Sequence, residues 1–571
     1  MLTKIDKSIL SVFIIILLAI VLRFVNLSKV PVGFNDDEAA FGYNAYSILK
    51  TGRDEWGRFL PFPVFESFGD WKLVGYLYPT VISEFIFGPN EFATRFPSAL
   101  FGTLAVLSTY LLASKLFNKK TGIFSALLLS ISPWHIAAAR NAFESDILIF
   151  FITLSTYFFL KIPEKLKFLY FSFFGFVLCF YIYRSAWLFV PIFLTLLIFT
   201  NRLFLKKHKS QVLKIAFISI LLLVPLVPTI FTFKGQSRFF QESFVTGIQS
   251  QGIIDEANER RGFCQKDINS IICKLVYNKY NFYLLTYINN YFTNLSPQTY
   301  YLVQNGTGYQ SFPSRSFFYT SEFPLAVLGF IFLLKSKNTT ARNVLIAWFL
   351  IVPIGASVTG IGNPGRLNIL MPVPQIIEAF GLLKIYDFFK SKKLKLAFAI
   401  VTSLVFIFSV SRLVFDMYFK HPQVSARYQR YGYSQLFTYI ENVRRNYDEV
   451  MVSRKGDDAK QYIHYLFSQK YDPKKYLETI GPQRYRGEDS WIRVDKIENI
   501  QFVPSVPEPE SINSNSLLVI SHNETIYPNQ PIFVVKDFRD DAIFEVYDGD
   551  QLKIAQKEYE EEIMRLKLLK K

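Results

Sequence analysis

Long apolar runs separated by short charged stretches set the rhythm of this chain. The first, residues 8–27 (SILSVFIIILLAIVLRFVNL), carries one charge, Arg23, near its end. Its length is about the 20 residues that an α-helix needs to cross a hydrocarbon core. It continues into SKVPVGF rather than a small-residue cleavage site, which predicts a retained span and not a cleaved signal. Runs of the same character follow at residues 92–117, 122–140, 146–160, 168–183, 186–199, 212–231, 323–334, 344–359, 367–383 and 396–414. The pattern predicts a polytopic α-helical membrane protein of about eleven spans, several of them short for a perpendicular crossing.

The loops between the runs set the orientation. One alternate set is basic: Lys119 and Lys120; Lys161, Lys165 and Lys167; Arg202, Lys206, Lys207 and Lys209; Lys335, Lys337 and Arg342; Lys390, Lys392, Lys393 and Lys395. Short cytoplasmic loops carry the Lys and Arg excess, so these are predicted inside, with the N-terminus cytoplasmic and the C-terminus outside. A multi-pass protein of the cell membrane follows, with residues 1–420 as the membrane domain. Residues 31–91, the RNAFESD turn, a long loop at 232–322 and everything after the last run then face away from the cytoplasm. In that tail, helix-like pieces (SQLFTYIENVRR, DAKQYIHYLFSQK) interleave with β-branched ones (EVMVS, IENIQFV, SLLVIS, IFVVKDF, AIFEVYD). They predict a separate extracytoplasmic α/β domain over residues 421–571, closed by a charged helix, KEYEEEIMRLKLLKK.

Composition agrees with this class. The chain has 571 residues, of which 51% are hydrophobic, with 60 Phe and 33 Tyr. Its formal charge of +17 lies mostly in the basic loops, so topology accounts for it and no nucleic-acid partner is implied. No P-loop or GxGxxG run suggests a nucleotide cofactor. Cys179 falls in a span and reads as packing, whereas Cys264 and Cys273 share the long outer loop, where pairing and two free thiols are both open. The sequons at Asn294 and Asn305 are short enough to arise by chance.

The candidate chemistry sits beside the membrane on the outer side. GFNDDEAAFGYNA, residues 33–45, carries Asp36, Asp37 and Glu38 in succession. Asn35 with Glu38 three residues on is a variant of the capping box, and acids in a first turn favour the helix dipole. The helix so opened is amphipathic through Phe41, Ala45 and Ile48 and ends at Lys50-Thr51-Gly52. The aromatic-rich remainder of residues 31–91 predicts helices lying in the membrane interface and walling a cavity, with Lys72 at headgroup depth. Further charges stand at span ends: Arg140, Glu144 and Asp146 in one outer turn, Arg184 in YIYRSAW and Arg366 in GIGNPGRLNILMPVP. Each has a plain structural reading, as a helix-end pair between Arg140 and Glu144 or as an interface anchor. Together they bring acids and cations to one face, as a phosphate-bearing lipid and a hydroxyl or amine acceptor require.

DDEAAFGYNAYSILKTG, GDWKLVGYLYP, FGPNEFATRFPSALFGTLAVLSTYLLASKLF and RNAFESD resemble the C-type glycosyltransferase (GT-C) superfamily, among its protein O-mannosyltransferase and lipid A aminoarabinose transferase relatives. GNPGRLNILMPVPQ continues the resemblance. It implies an inverting transferase of the GT-C fold that takes a monosaccharide from a polyprenyl-phosphate sugar on the non-cytoplasmic face. By this resemblance Asp37 and Glu38 are the Asp-Glu motif, and Asp37 is the base or acceptor-orienting carboxylate. Lys72 is the lipid-phosphate lysine, the second acidic position is Glu144 or Asp146, and Arg184 and Arg366 are further phosphate-binding candidates. No sign of a β-trefoil insertion occurs in the long loop. A protein acceptor is therefore not specifically implied; the C-terminal domain suggests a bacterial or archaeal member, with membrane lipids around it and a glycan, lipid or protein of the cell envelope as acceptor. The lipid-linked sugar is a co-substrate and no cofactor is implied, although the DDE cluster keeps a divalent metal open.

Two readings from other classes compete. A transporter or flippase would also carry intramembrane charges, but here they gather at span ends and no inverted repeat is evident. A sensor with an outer binding domain accounts for the tail and not for the loop charges.

Overall fold

A computed structural model of the chain describes residues 7–232, 243–247, 249–304, 311–313, 315–455, 460–479, 484–487, 491–506, 511–521, 524 and 530–569. The apolar runs of the sequence are helical. Among the described residues, five helices are long and apolar enough to cross a membrane, or seven if each of two bent pairs is one span. The remaining runs form shorter apolar helices such as Phe168–Ile182 and Ser185–Thr200. One bent pair, α5 (Lys119–Ile131) and α6 (Pro133–Ala139), turns by 61° where Pro133 removes a backbone donor and cannot continue the helix. The fold is that of a helical membrane protein with a C-terminal sheet region.

The bundle centres on α4 (Glu91–Leu116), which packs on α1 (Lys7–Phe24), α5 and α7 (Ser145–Lys161). Small residues on α4, including Ala99, Gly102 and Ala105, let neighbouring backbones approach. The C-terminal region builds a six-stranded mixed sheet in the order Lys496–Ile497, Ile500–Val503, Glu449–Ser453, Ser516–Ser521, Ala542–Asp548, Phe533–Lys536. Glu449–Ser453 pairs in parallel with both neighbours and the other pairings are antiparallel. The alternation of its side chains serves two faces. Val450 and Val452 join Leu436, Phe437 and Ile463 of the helices Tyr433–Val443 and Gln461–Ser468, whereas Met451 joins Leu518 and Leu552 beneath the terminal helix.

Two elements between α1 and α4 differ from the expected interfacial helices. α2 (Asp36–Thr51) is buried on nearly every side. Phe41, Ala45 and Ile48 enter the core of the membrane bundle, while Ala39, Ala40 and Tyr43 on the other face enter the core of the C-terminal sheet region. The face read as polar is made of small and aromatic residues and is covered by protein. A methyl placed on Gly42 would lie 2.3 Å from the Phe467 ring and 2.9 Å from Thr94 Oγ1, so the glycine permits this double contact. α3 (Leu77–Phe87) keeps Ile82, Phe85 and Ile86 exposed, as an interfacial helix does. Between them, β1 (Val64–Ser67) and β2 (Asp70–Leu73) form an antiparallel hairpin where the sequence suggests only turns. Cys264 and Cys273 form a disulfide, with their Cα atoms 5.8 Å apart.

Candidate active site

The three successive carboxylates diverge. Asn35 caps α2 as the sequence suggests: its Oδ1 accepts from the amides of Asp37 (3.0 Å) and Glu38 (3.1 Å), and Glu38 Oε2 accepts from the Asn35 amide (3.0 Å). Successive helical residues are about 100° apart, so the acids of this first turn point to three different partners.

Asp36 turns to the C-terminal region. Its oxygens lie 3.0 Å from Arg430 Nε, 2.9 Å from His464 Nε2 and 3.5 Å from Lys460 Nζ. Burial alone would raise this carboxyl, but Arg430, His464 and Lys460 together hold it far below the usual carboxylate range. It is an ionic clamp between the rim of the bundle and the sheet region.

Glu38 turns into the bundle and is fully buried. Arg95 of α4 grips it through Nε at 2.8 Å and Nη2 at 3.0 Å, and the Ala142 amide donates at 3.0 Å. With the Asn35 amide, these donors occupy the directions in which a carboxylate accepts.

Asp37 is the acid that keeps access to solvent, with 22% of its side chain exposed. Its Oδ1 lies 2.6 Å from Lys72 Nζ. Lys72 stands on β2 opposite Phe65 and shares a sheet face with Asp70, whose Oδ2 is its second anionic partner. The hairpin tip, Phe68 and Gly69, takes positive φ angles of 43° and 86°, the pattern of a two-residue turn that follows the strand twist. The C-terminal region clasps this tip. Tyr462 accepts from the Phe68 amide at 3.1 Å, and the Ile492 amide donates to the Phe68 carbonyl at 3.0 Å. Lys72 and Lys460 lie 5.0 and 5.2 Å from the Phe68 ring.

The other candidates fall into two groups. Arg184, half-buried at the start of Ser185–Thr200, donates to the carbonyl of Trp71, next to Lys72. Arg366, on the short helix Pro364–Leu367, lies 5.4 Å from the Tyr183 ring. Arg184 thus reaches the residue next to Lys72, and Arg366 reaches the residue before Arg184, each from a separate element. Glu144 is half-buried in the turn before α7. Asp146 faces inward, with Oδ1 3.4 Å from His135 Nε2 and Oδ2 accepting from Ser98 at 3.4 Å. Arg23 reaches the same interior network through His135 Nδ1 at 2.8 Å. Tyr76 lies within the field of both acids: burial, then the charges of Glu38, Glu144 and Asp146, push its hydroxyl well above its ordinary value. Arg140 donates to the carbonyls of Leu22, Val25 and Val30 and so fixes the turn that follows α1.

Sequence reasoning did not single out Asp70, Arg95, Arg430, His464 or Lys460. Arg95 lies two residues before Pro97 in a run read as a span, and only its cost inside an apolar helix could have flagged it. Among the described residues no group of three or more His, Cys, Asp or Glu is placed to hold a metal ion.

Glu55, beneath the hairpin, adds a pH-dependent contact. Burial raises its carboxyl to about 7, an effect that Arg484 of the C-terminal region only partly offsets. A carboxyl whose folded value exceeds its ordinary 4.5 stabilises the fold fully below 4.5, and that contribution is lost as the pH rises through about 7. Glu55→Gln mimics the protonated form. Thermal unfolding of the variant is therefore expected to lose this decline and to exceed the wild type above pH 7; profiles that coincide would remove Glu55 from the account.

Comparison with known proteins bears on this geometry. Residues 75–228 match the family model described as dolichyl-phosphate-mannose-protein mannosyltransferase. An uncharacterized protein of Aquifex aeolicus (strain VF5) is 47% identical over 73 residues, which is 13% of this chain and 15% of that protein. Among solved structures, ArnT from Cupriavidus metallidurans in the apo state superposes with a TM-score of 0.52 at 13% identity, covering 95% of this chain and 98% of ArnT. The Archaeoglobus fulgidus oligosaccharyltransferase, tethered to an acceptor peptide with the NVT sequon, superposes with a TM-score of 0.50 at 14% identity. It covers 81% of this chain, which in turn spans 63% of that protein's length. The structural likenesses show the fold, and with the family model they support the resemblance to GT-C glycosyltransferases.

Proposed function

We propose that this chain is an inverting glycosyltransferase that moves a monosaccharide from a polyprenyl-phosphate sugar to a cell-envelope glycan, lipid or protein on the non-cytoplasmic face of the membrane. The observation that carries this reading is the pairing of Asp37, the acid of its cluster with access to solvent, with Lys72 at 2.6 Å, beside which Arg184 reaches the Trp71 carbonyl. The family model over residues 75–228 and the ArnT-like fold support a lipid-phosphate sugar as donor.

The pair acts in two steps in this reading. The donor phosphate draws Lys72 toward itself, with Arg184 and Arg366 as further counter-charges, and this releases the Asp37 carboxylate. The acceptor oxygen or nitrogen then attacks C1 of the sugar from the face opposite the phosphate. The C1–O bond breaks, the acceptor proton passes to Asp37, and polyprenyl phosphate leaves with its negative charge held by the cations. Glu38 and Asp36 position this centre: one fixes the start of α2 to α4 and the other fixes it to the C-terminal region. Of the two further acids, this reading gives the second acidic role to the half-buried Glu144 and leaves Asp146 to the interior network.

A panel of labelled polyprenyl-phosphate sugars supplied to proteoliposomes tests the reading against the transporter alternative. The expected result is release of polyprenyl phosphate together with a covalently labelled acceptor. Label that crosses the membrane and yields no covalent product would replace the enzyme with a transporter.

A further inference from the structure

The described residues of the loop between 232 and 322 supply none of the side chains named in the site above. They include three successive helices, Gln249–Asp267, Ser270–Val276 and Lys279–Leu295, with the disulfide Cys264–Cys273 tying the end of the first to the second. The third helix is fixed to the end of an apolar helix, Thr339–Ala356. Tyr287 and Tyr291 donate to the carbonyls of Ile354 and Leu350, each at 3.1 Å. Asn290 donates to the Ser357 carbonyl at 3.1 Å and Asn294 to the Gly360 carbonyl at 3.0 Å.

These contacts occupy one side of Lys279–Leu295. The other side carries Leu284, Leu285, Ile288 and Phe292, spaced i, i+1, i+4 and i+8 on one helical face and all exposed. At the tip, Ile271 is 68% and Leu275 69% exposed. Cations flank this apolar surface: Lys266 lies 5.0 Å from the Phe263 ring and Lys279 5.2 Å from the Tyr280 ring, with Lys274 between them in sequence. An apolar stripe of this extent on short helices with charged neighbours is a binding surface and not ordinary solvent-facing protein.

We infer that this disulfide-tied hairpin lies on the membrane surface and binds the phospholipid headgroup layer, with its apolar stripe among the upper acyl chains and its lysines at the phosphates. Two observations select lipid over a second copy of the chain. The helix that carries the stripe is fixed through Tyr291 to Leu350, which is 41% exposed on a helix apolar enough to cross a membrane. The lysines beside it suit a phosphate layer, where long side chains snorkel from an apolar surface to a charged one. The inference concerns a part of the chain outside the transfer site and stands or falls independently of the proposed activity.

The test uses the full chain in phosphatidylcholine vesicles with and without phosphatidylglycerol. Nitroxide labels are placed at Leu285→Cys, Leu275→Cys and, as a control on the first helix, Glu259→Cys, each in a Cys179→Ser background. The expected result is a ratio of oxygen to nickel-chelate collision rates severalfold higher at 285 and 275 than at 259. That ratio should rise further with phosphatidylglycerol, and the rise should be lost when Lys266, Lys274 and Lys279 are all replaced by Gln. Collision ratios at 285 and 275 equal to the control in both vesicle types would overturn the inference. So would dipolar coupling between labels on two chains, which would assign the face to a second copy.

Discussion

Asp37→Asn is expected to lower the turnover number by about 10²–10⁴-fold, the contribution of a positioned general base, in a protein that folds and inserts normally. The fold should survive because the groups around Asp37 do not depend on its charge. The cap at Asn35 accepts from the Asp37 backbone amide, and Lys72 retains Asp70 as its partner. The effect on the donor should run the other way. Removing a negative charge 2.6 Å from Lys72 frees the lysine for phosphate, so KM for the polyprenyl-phosphate sugar should not rise and is expected to fall. Lys72→Ala should show the complementary split, with KM raised as the phosphate loses a counter-charge. Initial rates of polyprenyl phosphate release and of labelled product over a range of donor concentrations separate the two. Near-normal turnover in Asp37→Asn would sink the assignment of Asp37, while a rise in donor KM there would show that the residue serves binding and not proton transfer.

What could be read from the sequence was set by how local the signal is. Apolar runs report membrane helices because each run satisfies its own backbone hydrogen bonds, and the cap at Asn35 needs only residues three apart. The separate roles given to Asp37 and Lys72 came from a resemblance, and their pairing is seen only in the fold, since nothing within the chain links positions 35 residues apart. The hairpin that carries Lys72 was hidden for a physical reason. Two-residue turns of this kind favour Asn or Asp followed by Gly, whereas here Phe68 takes the left-handed position, held by Tyr462, Trp491 and Lys460 from about 400 residues later in the chain. The burial of α2 was hidden likewise. Ala39, Ala40 and Tyr43 look like a solvent-tolerant face until the helices at 433–443 and 461–468 are folded against them.

The same long-range packing makes Arg95 the residue whose loss should cost the most stability. Arg95→Met is expected to destabilise the protein by about 3–5 kcal/mol, the cost of leaving one member of a buried pair uncompensated, because Glu38 is then a carboxylate with no exposure and no cation. Glu38→Gln should be milder. Arg95 would keep the carbonyls of Leu27, Pro31 and Gly33 at 3.1, 3.0 and 2.6 Å, so its charge remains solvated by backbone. The double variant Glu38→Gln with Arg95→Met should recover much of the loss, since no buried charge is left behind. Thermal unfolding in one detergent gives the order, and activity gives an independent reading. A positioning role for Glu38 predicts that Glu38→Gln transfers sugar far faster than Asp37→Asn, because the start of α2 is still held by the Asn35 cap and by the Asp36 clamp. Equal losses in the two variants would instead place Glu38 among the groups that touch the reacting atoms.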